Sequence, residues 1–491
     1  MEELDMESTA MDKILNLTMP GHLRYQPRGL QPYFGYDILY VTTCEVEIAT
    51  LRVLGDIGVI PAEDLKQLTD EVIKKVLKIT TTEIDRIERE ITKHDIRALV
   101  RKIQEIIHYS LARWTHIPLT SYDGLDTGRI LQFQRAYSQV LKPSIIQVVE
   151  WLSEVIIKFA DQIQIGRTHG QHALPITIGF WLATVLSRIL YNWEKMDSYA
   201  SQLVGKISGA VGAHNAQLGL GFENLCGGKS FEERVLEKLG LKPARISTQI
   251  LPPEYIAYFL YACQMLSASF GQLGRDCRNL MRTEISEIAE AFESGQVGSS
   301  TMAHKRNPIN FEQLEGMWLK NKNEFGKVQD TLISEHQRDL VGSCVARDFP
   351  IILINLQTQL NTLLRKNDSG EPFIKRITVN AGSCWKNFKM SSHLILSEPL
   401  YIAMQMAGYS GDAHHFVNHT LVPECQKREC NLIDAFEMMA EEDLELRKTL
   451  KRIPKEVIEL LHHPEKYTGD AKKKALAMVK IGKKQIKKLA A

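Results

Sequence analysis

Thirteen residues in the middle of the chain, Gly298–Asn310 (GSSTMAHKRNPIN), gather side chains suited to acid–base work. Ser299 and Ser300 offer hydroxyls, Lys305 an ammonium and Asn307 an amide, in a glycine-led polar stretch closed by Pro308. Donors crowded in this way suit an oxyanion or a carboxylate, although an ordinary surface loop can have the same composition. A second place is Gly166–Pro175 (GRTHGQHALP), where His169 stands beside a glycine. Imidazole gives and takes protons near neutral pH; a plain turn histidine is the alternative. A third is Arg338–Arg347 (RDLVGSCVAR). Arg338 and Arg347, with Ser343, could clasp a phosphate, since guanidinium pairs with it through two parallel hydrogen bonds; surface salt bridges would use the same arginines. His415 and His419 lie one helical turn apart, with His414 adjacent and Cys425 and Cys430 downstream. That spacing can hold a metal, but no glutamate stands between the histidines as in a metalloprotease helix, and no metal site is expected.

The elements that must position these groups read as helices. In Ser144–Asp161 the apolar residues Ile145, Val148, Val149, Leu152, Ile156 and Phe159 fall at helical spacing, with Pro143 at the start, where a helix tolerates it. No proline occurs between Pro175 and Pro243, between Pro253 and Pro308, or between Pro308 and Pro350. Such stretches allow helices well beyond the usual three turns, and the spacing predicts a bundle of long, nearly antiparallel helices. Strand-like alternation is nearly absent. Upstream, helices are expected near Tyr36–Gly55 and Ala62–Ile79. Downstream, Asn367–Pro372 (NDSGEP) reads as a linker. The expected fold is all-α in three mainly helical domains: residues 1–118, a central bundle over 119–372, and residues 373–491.

The bulk properties fit a large globular protein. At 491 residues the chain exceeds one ordinary domain. Sixty Lys and Arg balance 59 Asp and Glu, so net charge draws the chain to neither nucleic acid nor membrane, and anions must be bound by local clusters. The Lys-rich end, AKKKALAMVKIGKKQIKKLAA, reads as a solvated helical face. Eight cysteines without a C-x-x-C pair read as reduced, mostly buried thiols. The first residues, MEELDMESTAMDK, lack the apolar core of a signal peptide, and no apolar run could span a bilayer. A cytoplasmic location is expected.

GSSTMAHKRNP agrees with the loop G-S-S-x-M-P-x-K-x-N-P of the fumarase/aspartase superfamily at seven fixed positions, departing only where Ala303 replaces a proline. GRTHG at 166–170 and LTSYD at 119–123 resemble two further conserved regions of that superfamily, and Lys206–Gly212 (KISGAVG) and Thr248–Gln249 are also similar. His94–Asp95, His116, the early Arg24–Tyr25 pair and the Arg338–Arg347 segment resemble the branch that acts on succinyl-nucleotides. A relative acting on argininosuccinate or carboxymuconate, or a non-catalytic one such as the lens crystallins of the superfamily, is the alternative. A phosphate cradle argues against the first pair, and joint retention of Ser299, Lys305, Asn307, His169 and Glu312 argues against the last.

The resemblance implies the following. Fumarate is eliminated from a succinyl-nucleotide: a proton leaves the carbon beside a carboxylate, then a C–N bond breaks. Ser299 is the base and His169 the acid that protonates the departing nitrogen, with Glu312 as that histidine's acidic partner. Lys305 and Asn307 grip the succinyl carboxylates, and Met302 offers a backbone N–H. Tyr25, His94, Asp95, His116, Thr120, Ser121, Thr168 and Gln249 contact the substrate; Arg24, Arg338 and Arg347, with Ser343, surround the phosphate. No cofactor or metal is needed. The superfamily forms homotetramers whose central bundles build a common core, with each site shared between subunits.

Overall fold

The computed structural model of the chain describes residues 26–291, 302 and 304–490. It is mainly helical, with little strand. The elements that matter for the site are, in order, α1 (Val41–Asp56), α2 (Asp95–Ile106), α3 (Ser121–Ala136), α4 (Lys142–Lys158), β1 (Ile163–Thr168), β2 (Gln171–Thr177), α5 (Ile178–Ala200), α6 (Glu254–Leu280), β3 (Ile288–Ala289), α7 (Ile309–Asp330), α8 (Val341–Val345), α9 (Pro350–Leu364), β4 (Thr378–Val379), α10 (Ala381–Ser391) and α11 (Ala471–Ala490). The three proline-free stretches hold α5, α6 and α7, of 23, 27 and 22 residues.

Two local expectations are corrected. Pro143 does not start a helix: α3 runs into α4 through a π turn, Tyr137–Leu141. A proline ring collides with the carbonyl four residues back and lacks an N–H. The wider turn relieves this, because Lys142 N–H bonds to the Tyr137 carbonyl instead. The same device recurs at Pro423, after the π turn Val417–Leu421. Upstream, the helix expected over Ala62–Ile79 is two pieces, Ala62–Leu65 and Asp70–Val76, because the Thr69 hydroxyl caps the second by accepting from Val72 N–H.

The chain forms two compact units, one of residues up to Gln147 with Tyr191–Gly271 and Gln313–Thr362, the other of Val148–Leu190, Gln272–Glu312 and Leu363 onward. In the first, α1 lies against α3 at two glycines. A Cβ on Gly124 would stand 2.8 Å from Thr43 Cγ2, and one on Gly128 would stand 3.0 Å from Thr42 Oγ1 and 3.1 Å from the Thr43 nitrogen. α7 and α9 run antiparallel: Gln359 donates to the Leu314 carbonyl at 2.6 Å, while Lys327 pairs with Asp348 at 2.6 Å.

The second unit contains the one element type that periodicity failed to predict. β1 and β2 form an antiparallel hairpin with Thr168 opposite Gln171, leaving His169 and Gly170 as a two-residue turn. Both turn residues are left-handed, at φ +54° and +76°, the backbone of a type I′ turn, whose twist suits paired strands. Ile165 is buried with the C-terminal helices in a core around Phe388, Leu400, Met404, Val417, Leu421 and Phe436. β3 pairs with β4 through two residues each. Along α11, Ala471, Ala475 and Val479 are buried while most lysines face out.

Candidate active site

In the first unit the groups expected near a nucleotide gather around the start of α3. Thr120 caps that helix, and its N–H donates to Asp123 Oδ2 at 2.8 Å. Asp123 is fully buried beside the fully buried Lys206 ammonium, 2.5 Å away, and also accepts from the Ser208 and Gly209 N–H groups at 3.1 and 3.3 Å. A buried ion pair is tolerable only when hydrogen bonds fill its remaining valences. Here they do, and they bind LTSYD to KISG, so Thr120 and Ser121 sit on a fixed ledge.

Tyr122, the next residue, is the partner that sequence reasoning missed. Its hydroxyl meets Ser343 Oγ at 2.5 Å, and the Arg338 guanidinium lies over its ring, 3.5 Å from the centroid. Arg338 also donates through Nη1 to Gln249 Oε1 at 2.9 Å and through Nη2 to Ser343 Oγ at 3.5 Å, while its Nε is buried without a partner among the described residues. Gln249, Arg338 and Ser343, scattered in sequence, thus meet. Asp339 holds the approach to α8, accepting from Glu335 N–H, the Ser334 hydroxyl and Val341 N–H; these bonds, that to Glu335 foremost, lower its carboxyl below the usual range.

Arg347 is exposed in a 3-10 turn just past α8. Its charge acts on the half-buried Tyr40, whose phenol is raised by burial first, then by Asp95, Glu88 and Asp85, with Arg347 opposing. His94 precedes α2 and sets its Nδ1 3.2 Å from Asp95 Oδ1.

His116 has a left-handed backbone, φ +67°, just before the cis Ile117–Pro118 bond. Its N–H donates to Glu47 Oε2 at 2.9 Å, and its Nδ1 lies 2.7 Å from Glu47 Oε1. A carboxylate only accepts, so Nδ1 carries hydrogen and Nε2 is the atom left for a ligand. Glu47, 1% exposed on α1, was also missed; its one signal is an acid among apolar neighbours in CEVEIATL.

The second unit carries the expected proton-transfer groups. Thr168 and His169 are exposed at the hairpin tip. Lys305 is exposed, with its N–H on the Met302 carbonyl, and Asn307 is half-buried. Glu312 is exposed in the first turn of α7. That turn is held by buried Glu290, which accepts from the N–H groups of Asn310 and Phe311 at 2.8 and 2.9 Å and from Asn310 Nδ2 at 2.6 Å. Burial raises the Glu290 carboxyl, with those bonds opposing. Among the described residues the side chains of His169 and Glu312 make no hydrogen bond. Ser299, Arg24, Tyr25 and Ala303 lie outside the described residues.

His415 and His419 stand with ring centroids 4.5 Å apart. Among the described residues the one group with reach for a metal is Asp434, Glu437 and His462, where the histidine already bridges both carboxylates at 3.5 and 3.2 Å. Such a set reads as an ion-pair network. The eight cysteines are free, six of them buried.

The long helices are what the sequence pattern led one to expect; the hairpin under His169 is not. A family model described as a lyase matches residues 37–320, and the chain belongs to that lyase family. The solved fumarate lyase from Mesorhizobium sp. BNC1 shares its fold with a TM-score of 0.75 at 20% identity, over 93% of this chain and 98% of that one. A muconate cycloisomerase from Acinetobacter calcoaceticus does so with 0.77 at 20%, over 94% and 100%. Sequence kinship is more specific. The adenylosuccinate lyase of Archaeoglobus fulgidus is 30% identical over 94% of this chain and 98% of its own length, and that of Pyrococcus horikoshii is 32% identical over 87% and 90%. Within the family the chain falls among the adenylosuccinate lyases.

Proposed function

We propose that the chain eliminates fumarate from adenylosuccinate, giving AMP, and from succinyl-aminoimidazole-carboxamide ribotide, giving the carboxamide ribotide. Beside the kinship, one observation carries this reading: Arg338 stacked on Tyr122 and hydrogen-bonded to Gln249 and Ser343, an arrangement apt for a nucleotide phosphate. The proton to be removed is weakly acidic, and the carbanion must be held as a doubly charged aci-carboxylate. That demands a base, an acid on the opposite face and fixed donors.

In this reading Ser299 takes the proton and His169 protonates the leaving nitrogen, with Glu312 as its acidic partner. Lys305 and Asn307 bind the carboxylates, and His94, Asp95, His116, Thr120, Ser121, Thr168, Gln249 and the Met302 backbone frame the succinyl and base portions. Arg24, Arg338 and Arg347, with Ser343, take the phosphate, and Tyr25 is a further substrate contact. No metal or organic cofactor enters. The chain works in the cytoplasm, with domains 1–118, 119–372 and 373–491, as a homotetramer whose sites draw on more than one subunit. Supporting the assembly, Tyr258, Tyr261 and Met265 are exposed along one stripe of α6; supporting the location, no helix among the described residues is long and apolar enough to cross a membrane.

The test is an ultraviolet assay of the purified protein with adenylosuccinate, with and without a chelator. Turnover in both cases is expected. Activity on argininosuccinate with none on adenylosuccinate would overturn the proposal.

A further inference from the structure

The hairpin that carries His169 is a weak element by itself. An isolated two-stranded ribbon is marginally stable, and the β1–β2 register is irregular between Ile165 and Arg167, so the lower ladder does not carry its orientation cleanly to the turn. The rung just below the tip pairs Arg167 with His172. Both of these side chains are tethered.

Arg167 reaches Glu287, which is fully buried just before β3. Nη2 donates to Oε1 at 2.6 Å and Nη1 to Oε2 at 3.1 Å. Asn387 of α10 fills the second place on Oε1 at 2.8 Å, and Gln164 fills the second place on Oε2 at 2.9 Å. The carboxylate thus accepts four donors, two per oxygen. Its own backbone is fixed as well: the Glu287 N–H bonds to the Leu280 carbonyl, and its carbonyl accepts from Asn380 N–H at 2.9 Å. On the other strand, His172 Nδ1 lies 2.7 Å from Ser391 Oγ, at the end of α10. Both halves of this rung, the last but one before the turn, are therefore clamped, one through the Glu287 cluster to Asn387 and the other directly to Ser391.

We infer that Glu287 is a positioning residue for the reaction, setting the His169 imidazole through its two-pronged bond to Arg167, two residues before the histidine. The inference rests on the proposed role of His169 as the general acid. A buried carboxylate costs several kcal/mol unless its partners are well placed, so this cluster has one low-energy arrangement, and a guanidinium fork passes that arrangement on as an orientation. A single ammonium could neutralise the charge but could not fix the direction.

That difference supplies the experiment. Arg167→Lys keeps the charge and loses the fork. Glu287→Asp keeps the charge and draws the carboxylate back by one methylene, and it serves if the first variant does not fold. For folded enzyme, checked by circular dichroism and thermal melting, kcat for adenylosuccinate should fall about ten- to a hundredfold, as expected for a misplaced group. KM should rise far less than kcat falls, since of the substrate contacts only Thr168 adjoins the clamp. The pH–rate profile should change on the limb set by the general acid. A folded variant with wild-type kcat and profile would show the cluster to be merely structural. His169→Gln, measured in parallel, separates the two ideas. If it is inactive while Arg167→Lys turns over normally, only the positioning role falls. If His169→Gln turns over normally, the proposed acid falls and the inference falls with it.

Discussion

A serine hydroxyl is a poor base in water, so Ser299 can serve only where water is excluded and cationic donors stand near. Replacing it should expose that role. Ser299→Ala should lower kcat by about 10²–10⁴-fold, the usual range for a general base, while substrate binding measured by equilibrium titration largely survives. Near-normal turnover would assign proton removal to another group. The arginines should behave in the opposite way. Arg338 is proposed to bind a phosphate remote from the bond that breaks, and a charge-assisted hydrogen bond contributes roughly 1.5–3 kcal/mol. Arg338→Ala should therefore raise KM about tenfold or more, beyond any rise in Ser299→Ala, with some loss of kcat because remote binding also feeds catalysis. Steady-state kinetics on both variants decide this. An unchanged KM would place the phosphate cradle elsewhere.

The elements of the first unit hold Thr120, Ser121 and Arg338 by close approach and by paired charge. α3 presents Thr120 and Ser121 at its start, and its seat on α1 depends on the missing side chain at Gly128. Gly128→Val forces atoms against Thr42 and Thr43 and should destabilise the protein by about 1–3 kcal/mol, typical of overpacking, read as a lower urea midpoint. The loop after KISGAVG adds a pH-dependent contribution. Glu232 hydrogen-bonds His214 Nε2 at 3.2 Å and raises that imidazole above its ordinary value, with partial burial opposing. Because the folded pKa exceeds the unfolded one, the contribution is full below the ordinary imidazole pKa of about 6.5 and is lost as pH rises through the folded pKa. His214→Gln should accordingly lower Tm more at about pH 6 than at about pH 9. An equal loss at both would show that the pair stabilises through packing alone.

At the scale of the whole molecule the proposal is an assembly whose sites draw His169 and Ser299 from different subunits. His169→Ala and Ser299→Ala enzymes should each be nearly inactive. When they are mixed in equal amounts, mildly dissociated and allowed to reassemble, about a quarter of sites should receive both intact residues, so activity should climb toward about a quarter of wild type. Mass spectrometry verifies that hybrids formed. Hybrids with no more activity than their parents would place both residues in one subunit, leaving the lyase assignment intact.

Much of this was legible in the chain itself. Helical periodicity and the absence of proline are local properties, and they located α5, α6 and α7 before any fold was known. The spaced motifs marked His169, Lys305 and Arg338 because reacting groups need particular side chains in a particular order. Local rules failed where a neighbour relieved or replaced them. Pro143 lies inside a helix because a π turn removes its clash. The hairpin escaped notice because its turn is His-Gly rather than the usual Asn-Gly, and because β2 carries Pro175. The supporting residues were beyond reach for a different reason. Glu47 meets His116 across 69 positions, Gln249 meets Arg338 across 89, Glu287 meets Arg167 across 120, and Tyr122 meets Ser343 across 221. A buried carboxylate or phenol is stable only beside its partner, and which partner that is depends on how distant segments pack. The sequence by itself marked the candidate reacting groups and the mainly helical scaffold; only the tertiary structure decided which buried acids and hydroxyls hold the described ones in place.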